Sequence, residues 1–159
     1  MSSDLTINPL PRSALHRVAG FSLPPEQAQF SGLPAETMGR APADRDGHVI
    51  EEGGTPVGFF AIDRSYAEAH EFAEPGALGL RMFLIDHKAQ GRGVASGACA
   101  MLKAYLAKTY PERSLCYLTV NCRNPHARKA YLNGGFTDTG ALYYGGALGP
   151  QHILKLELR

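Results

Sequence analysis

The chain has 159 residues, 44% hydrophobic and 19% charged, with a formal net charge of +1. That size fits one domain spanning residues 1–159, large enough to bury a core without disulfide staples. The near-neutral charge argues against a broad nucleic-acid-binding face, which wants a basic excess. No run is apolar and long enough to span a bilayer, and MSSDLTINPL lacks the basic and apolar regions of a secretory signal, so no membrane association and a cytoplasmic location are expected.

Taken in chain order, Leu5 to Asn8 reads as a short strand, followed by helical pieces broken by prolines. Ser22-Leu23-Pro24-Pro25-Glu26-Gln27 has the marks of a helix start, with prolines and Glu26 near the first turn. Asp44 to Gly47 reads as a turn, and His48–Glu51 and Val57–Ile62 as a hairpin around Gly53-Gly54. The polar, charged stretch Asp63 to Gly79 reads as a loop beside the site, and Leu80 to Ile85 as the next strand. Val94, Ala98, Met101, Leu102 and Tyr105 then recur at helical spacing. Leu115 to Val120 is nearly continuous in apolar residues, the pattern of a strand covered on both faces. Strand, helix and strand together fit a right-handed βαβ unit with a parallel pair. Asn124 can cap a second helix with Pro125 at its first position, and Gly134-Gly135 stops that helix. Phe136 onward and Gln151 to Leu158 read as a final hairpin.

Chemistry concentrates in two places. Gln90-Gly91-Arg92-Gly93-Val94-Ala95 joins a strand to a helix, where unpaired backbone N–H groups and the helix dipole favour an anion such as a diphosphate. It is neither a Walker A loop, which needs a lysine and a hydroxyl after its second glycine, nor a dinucleotide fingerprint with three spaced glycines. It matches a Q/R-x-x-G-x-G/A turn. Further on, Ala127 and Tyr131 are one helical turn apart and share a face, after Asn121 and Asn124. The cysteines Cys99, Cys116 and Cys122 are odd in number and at no metal-ligand spacing. No metal is expected; Cys99 and Cys116 read as buried thiols of a reducing compartment, and Cys122, near the site, as a structural residue first and a reactive thiol as the alternative.

In that order and separation the two motifs resemble the GCN5-related N-acetyltransferase (GNAT) superfamily, whose second motif reads N-x-x-A-x-x-x-Y-x-x-x-G-F. Here it stands as Asn124-Pro-His-Ala127-Arg-Lys-Ala-Tyr131-Leu-Asn-Gly-Gly135-Phe136. The resemblance implies an α/β (α+β) fold: a mixed, mostly antiparallel central sheet flanked by helices, with a splayed parallel pair around Ile85 and Leu118. It also implies acetyl transfer from acetyl-CoA (coenzyme A) to an amine. By position, the backbone of Phe83, Leu84 and Ile85 would pair with the pantetheine arm. Gln90, Gly91, Arg92, Gly93, Val94 and Ala95 would hold the diphosphate, Asn124 would bind the arm, and Tyr131 would protonate the departing thiolate.

Chemistry asks for the same parts. An amine of pKa near 10.4 must lose a proton before it attacks, and a phenol near the sulfur eases departure of a thiolate of reference pKa near 8.5. The family's usual glutamate is replaced by Arg81; Glu51, Glu52, Glu68, Glu71, Glu74, Asp86, His70 and a water relay all stay open as the base. Phe83-Leu84-Ile85-Asp86 before Gln90-Gly91, and Pro25-Glu26-Gln27 followed by Phe30, resemble bacterial polyamine acetyltransferases. Arg81 would repel a polycation and could clasp a carboxylate. The expected acceptor is a small-molecule amine. A protein lysine or N-terminal acetyltransferase and an acyl-CoA-binding sensor are the alternatives, and a homodimer is compatible with the sequence.

Overall fold

In a computed structural model describing residues 4–28 and 32–159, β1 (Leu5–Pro9) is followed by a 3-10 segment, Arg12–Val18, and two short helices, α1 (Pro25–Ala28) and α2 (Pro34–Gly39). Phe30, singled out in the sequence, lies outside the described residues. Each helix starts on a proline, whose fixed φ and missing N–H suit the first helical position. The hairpin of β2 (Arg45–Glu52) and β3 (Thr55–Asp63) turns on Gly53 and Gly54, whose φ values of 58° and 84° are those of a tight two-residue turn. Strand β2 begins at Arg45, so the turn expected over Asp44 to Gly47 is confined to its start; the β2–β3 ladder extends back to Arg45↔Asp63 and draws the rest into the sheet.

After α3 (Tyr66–Ala69) come β4 (Leu78–Ile85), a 3-10 turn at His87–Ala89 and α4 (Val94–Thr109), then β5 (Leu115–Asn121) and α5 (Pro125–Asn133), and finally β6 (Thr137–Tyr143) and β7 (Gln151–Glu157). The chain divides into two compact units, Met1–Arg64 with Leu80–Ala98, and Ser65–Gly79 with Cys99–Arg159. The hydrogen-bonded strand order is β1-β2-β3-β4-β5-β7-β6. Among the described residues it is a mixed sheet whose one parallel pair is β4 with β5, as the sequence implied.

In the first unit the apolar alternation of β3 decides the layers. Phe59 and Ala61 join Val49, Val18, Phe21 and Met38 in one core on the side of the 3-10 segment and α2. Phe60 points the other way and stacks between His48 and Phe83. In the second unit the parallel ladder is Leu78↔Cys116 and Gly79↔Tyr117, and β5, β7 and β6 continue antiparallel. Cys116, Tyr117 and Leu118 are buried in succession, which is how a strand covered on both faces reads.

The stretch from Asp63 to Gly79 corrects the expectation of a polar loop. Asp63 ends β3, and Tyr66, Ala73 and Ala77 are buried in a core with Tyr117 and Ile153, their charged neighbours facing out. Helix α4 buries Val94, Ala98, Leu102 and Leu106 at one-turn spacing, plus Cys99; Met101 and Tyr105 lie half-buried at the rim of that stripe. Its C-terminal end is held by Arg159, whose guanidinium donates to the carbonyls of Ala107 and Tyr110 at 3.0 Å.

Candidate functional site

The first cluster of interest is the run from β4 into α4, in the first unit. Met82 has φ 57°, a left-handed conformation unusual for a side-chain-bearing residue, in the middle of β4. Arg81, Met82 and Phe83 are half-buried, whereas Leu84 and Ile85 are buried. Beyond Asp86, Gly91 and Gly93 adopt φ 81° and 77°, and no atom lies within 4 Å of where a Cβ on either would stand. Both are exposed, as is Arg92. Gly97 N donates to Gly93 O at 2.9 Å, so Val94, Ala95 and Ser96 supply the first-turn N–H groups that helix geometry leaves over. The turn is therefore an open bracket of backbone donors at a positive helix end.

Side chains around the turn are engaged in holding it. Gln90 Nε2 donates to Ile85 O at 2.9 Å and to Gln27 Oε1 at 3.1 Å. Arg92 Nη1 sits 2.9 Å from Glu52 Oε1. The buried Asp86 accepts from Ser22 N at 3.0 Å and has Lys88 Nζ at 3.6 Å.

Arg81 is paired. Its Nε donates to Asp63 Oδ2 at 2.9 Å, and Arg45 Nη2 approaches the same oxygen at 3.5 Å. Burial, then the nearby Arg81, push the Arg45 pKa down. The other carboxylates considered as bases are also occupied or remote from apolar shelter. Glu51 accepts from Asn8 and Arg17, and Glu74 from Tyr117 Oη at 3.3 Å. Glu68 and Glu71 are exposed, and His70 is buried, stacked on Tyr66 at 3.9 Å with Nδ1 beside Tyr66 O.

The second cluster is on α5, in the second unit. Asn124 caps the helix: its Oδ1 accepts from Ala127 N at 3.4 Å, and Pro125 follows at the first position. Tyr131 meets Phe136 edge to face at 5.8 Å. Desolvation of its hydroxyl, and then the neighbouring Cys99 thiol, push its pKa up, so the phenol keeps its proton. The Cys99 pKa is itself pushed up to about 12 by burial. Gly134 is why α5 can end so near α4: a Cβ there would lie 2.7 Å from the Cys99 backbone. Among the described residues no group of three or more His, Cys, Asp or Glu could hold a metal ion, and no helix is long and apolar enough to cross a membrane.

The description "Acetyltransferase (GNAT) domain" matches residues 28–147. The chain belongs to the GNAT acetyltransferase family. This GNAT chain is 29% identical over 157 residues to "Uncharacterized N-acetyltransferase YbbJ" of Bacillus subtilis (strain 168), a match covering 97% of it and 98% of the relative. Its fold is similar to AAC(6')-Ib in complex with ribostamycin and coenzyme A, at TM-score 0.75 and 15% identity over 98% of this chain and 94% of the other. It is also similar to a chimera of spermidine N-acetyltransferase SpeG from Vibrio cholerae and hSSAT, at TM-score 0.68 and 18% identity over 98% and 96%.

Of the residues picked from sequence, the GNAT fold gathers Phe83 to Ala95 on one strand–turn–helix run, and Asn124 with Tyr131 on one helix. Two features beside the turn had no sequence signal: the pairing of Asp63 with Arg81, and the backbone of Met82, which departs from what its side chain prefers. Gln27 was marked in the sequence only as part of a helix start, and its bond to Gln90 was not.

Proposed function

We propose that this GNAT protein acetylates a primary amine of a small molecule, using acetyl-CoA, by direct attack with Tyr131 as general acid. Acetyl-CoA when bound supplies a thioester open to attack. The open turn at Gly91–Gly93 carries the reading, since its amides and the start of α4 suit a diphosphate and need no lysine. On this reading the amides of Gly91, Gly93, Val94 and Ala95 take the phosphates, with Gln90 bracing the turn and Arg92 adding positive charge. The backbone of Phe83, Leu84 and Ile85 pairs with the pantetheine arm. Asn124, its Oδ1 already committed to the cap, offers its amide N–H groups. Tyr131 holds a proton across the neutral range and delivers it to the sulfur as thiolate charge develops.

Small-molecule amines are supported as acceptors by the substrates that the similar structures carry in their names, ribostamycin and spermidine. On this reading the amine's proton leaves through a water relay to solvent, from which Tyr131 regains its own, and no side chain is assigned as the base because Glu51, Glu52 and Asp86 already serve other partners.

The deciding experiment is a thiol-release assay with acetyl-CoA over amino acids, spermidine, an aminoglycoside and a lysine peptide. Turnover of a small amine is expected, with Tyr131→Phe lowering kcat by about 10²–10⁴-fold at near-unchanged coenzyme A affinity. Acetylation of the peptide alone would refute the small-molecule reading. Equal rates for wild type and Tyr131→Phe would remove the acid role, and tight coenzyme A binding without turnover would favour a sensor.

A further inference from the structure

Residues 22–28 are fastened to the connection between β4 and α4 at two points, all within the first unit. At the first, Ser22 N donates to Asp86 Oδ1 at 3.0 Å, and His87 N donates to Ser22 O at 2.8 Å. At the second, Gln27 and Gln90 exchange amide hydrogen bonds: each Nε2 donates to the other's Oε1 at 3.1 Å. A primary amide has two N–H donors, and Gln90 directs its own to Gln27 and to Ile85 O, the latter at 2.9 Å. The Ile85 bond ties the residue just before Gly91 back to the end of β4. It closes the connection into a ring of main chain and one side chain.

Closing that ring steadies the start of a glycine-rich turn. Gly91 and Gly93 are the residue type with most backbone freedom, and fixing each into one conformation costs entropy. A long amide side chain has several rotatable bonds of its own, so Gln90 alone would be a loose brace. The reciprocal pair with Gln27 sets both the rotamer of Gln90 and which end of its amide faces Ile85 O. Both side chains are half-buried, where such bonds meet less competition from water.

We infer that Gln27 is a positioning residue for the anion-binding turn. Acting through Gln90, it holds the amides of Gly91–Ala95 ready for the diphosphate of coenzyme A, an inference that rests on the function proposed above. It touches no substrate atom; it lowers the ordering cost that binding would otherwise incur.

Two variants test it. Gln27→Leu removes both bonds, and Gln27→Glu can accept from Gln90 but cannot donate. The readouts are calorimetric titration with coenzyme A and NMR order parameters of the Gly91–Ala95 amides in ligand-free protein. Loss of about one net hydrogen bond predicts coenzyme A affinity weakened roughly five- to tenfold in Gln27→Leu, with Gln27→Glu in between. Order parameters should fall at Gly91–Ala95 and hold in β2 and β3. Wild-type affinity and unchanged order in Gln27→Leu would overturn the inference, as would a uniform loss of order across the first unit. If wild type itself binds no coenzyme A, the proposed function fails, and the ligand-free order parameters still decide whether Gln27 orders the turn.

Discussion

His48 is 1% exposed, its ring stacked on Phe60 at 4.9 Å and 13° from parallel. Burial lowers its pKa to about 4, opposed in part by Asp46. The unfolded chain therefore takes up a proton near pH 6.5, and the folded chain only as pH nears 4. Across that window the unfolded state binds more protons, so stability is full above it and is lost as pH falls through it, by roughly 3 kcal/mol in all. His48→Phe keeps an aromatic ring against Phe60 and cannot titrate. Its urea midpoint should fall less than that of wild type between about pH 7 and about pH 4.5. An equal fall in both would mean that other groups set the acid limb. Arg81 shows where reading residues one at a time stops. Its departure from the family pattern was legible, but its partner Asp63 is 18 positions away and is brought close by the β3–β4 pairing. The left-handed backbone of Met82 left no trace, since methionine does not mark such positions.

Elements bounded by glycine and proline were the ones that could be read. Gly53-Gly54 made the β2–β3 hairpin, and Asn124-Pro125 and Gly134-Gly135 delimited α5, because each of those residues has a backbone reason to stand there. The glycine turn at Gly91–Gly93 was legible on the same ground. The segment around α3 was not, because its polar composition conceals which side chains turn inward. Tyr66 is buried by Tyr117 and Ile153, partners that only the sheet brings near. A glycine records that burial. At Gly79, in the parallel ladder with β5, a Cβ would fall within the Tyr66 ring. Gly79→Ala should destabilise by about 1–3 kcal/mol through overpacking, as measured by denaturant unfolding. A change below about 0.5 kcal/mol, the ordinary surface value, would show that the ring gives way without strain.

Across the whole molecule, membership of the GNAT family rests on 28–147, whereas the acceptor is chosen by side chains that motifs do not fix. Cys99 and Cys116 are enclosed, as the sequence led one to expect, and Cys122 is half-exposed. Burial also keeps Cys99 protonated to about pH 12. Reaction with an aromatic disulfide reagent needs an accessible thiolate. Native protein should thus consume at most one equivalent, and the denatured chain three, one for each cysteine. Rapid consumption of more than one in native buffer would reveal that α4 or β5 opens. The practical result is a chain nearly silent to the reagent that would count its product, so that colour above the first equivalent reports turnover alone.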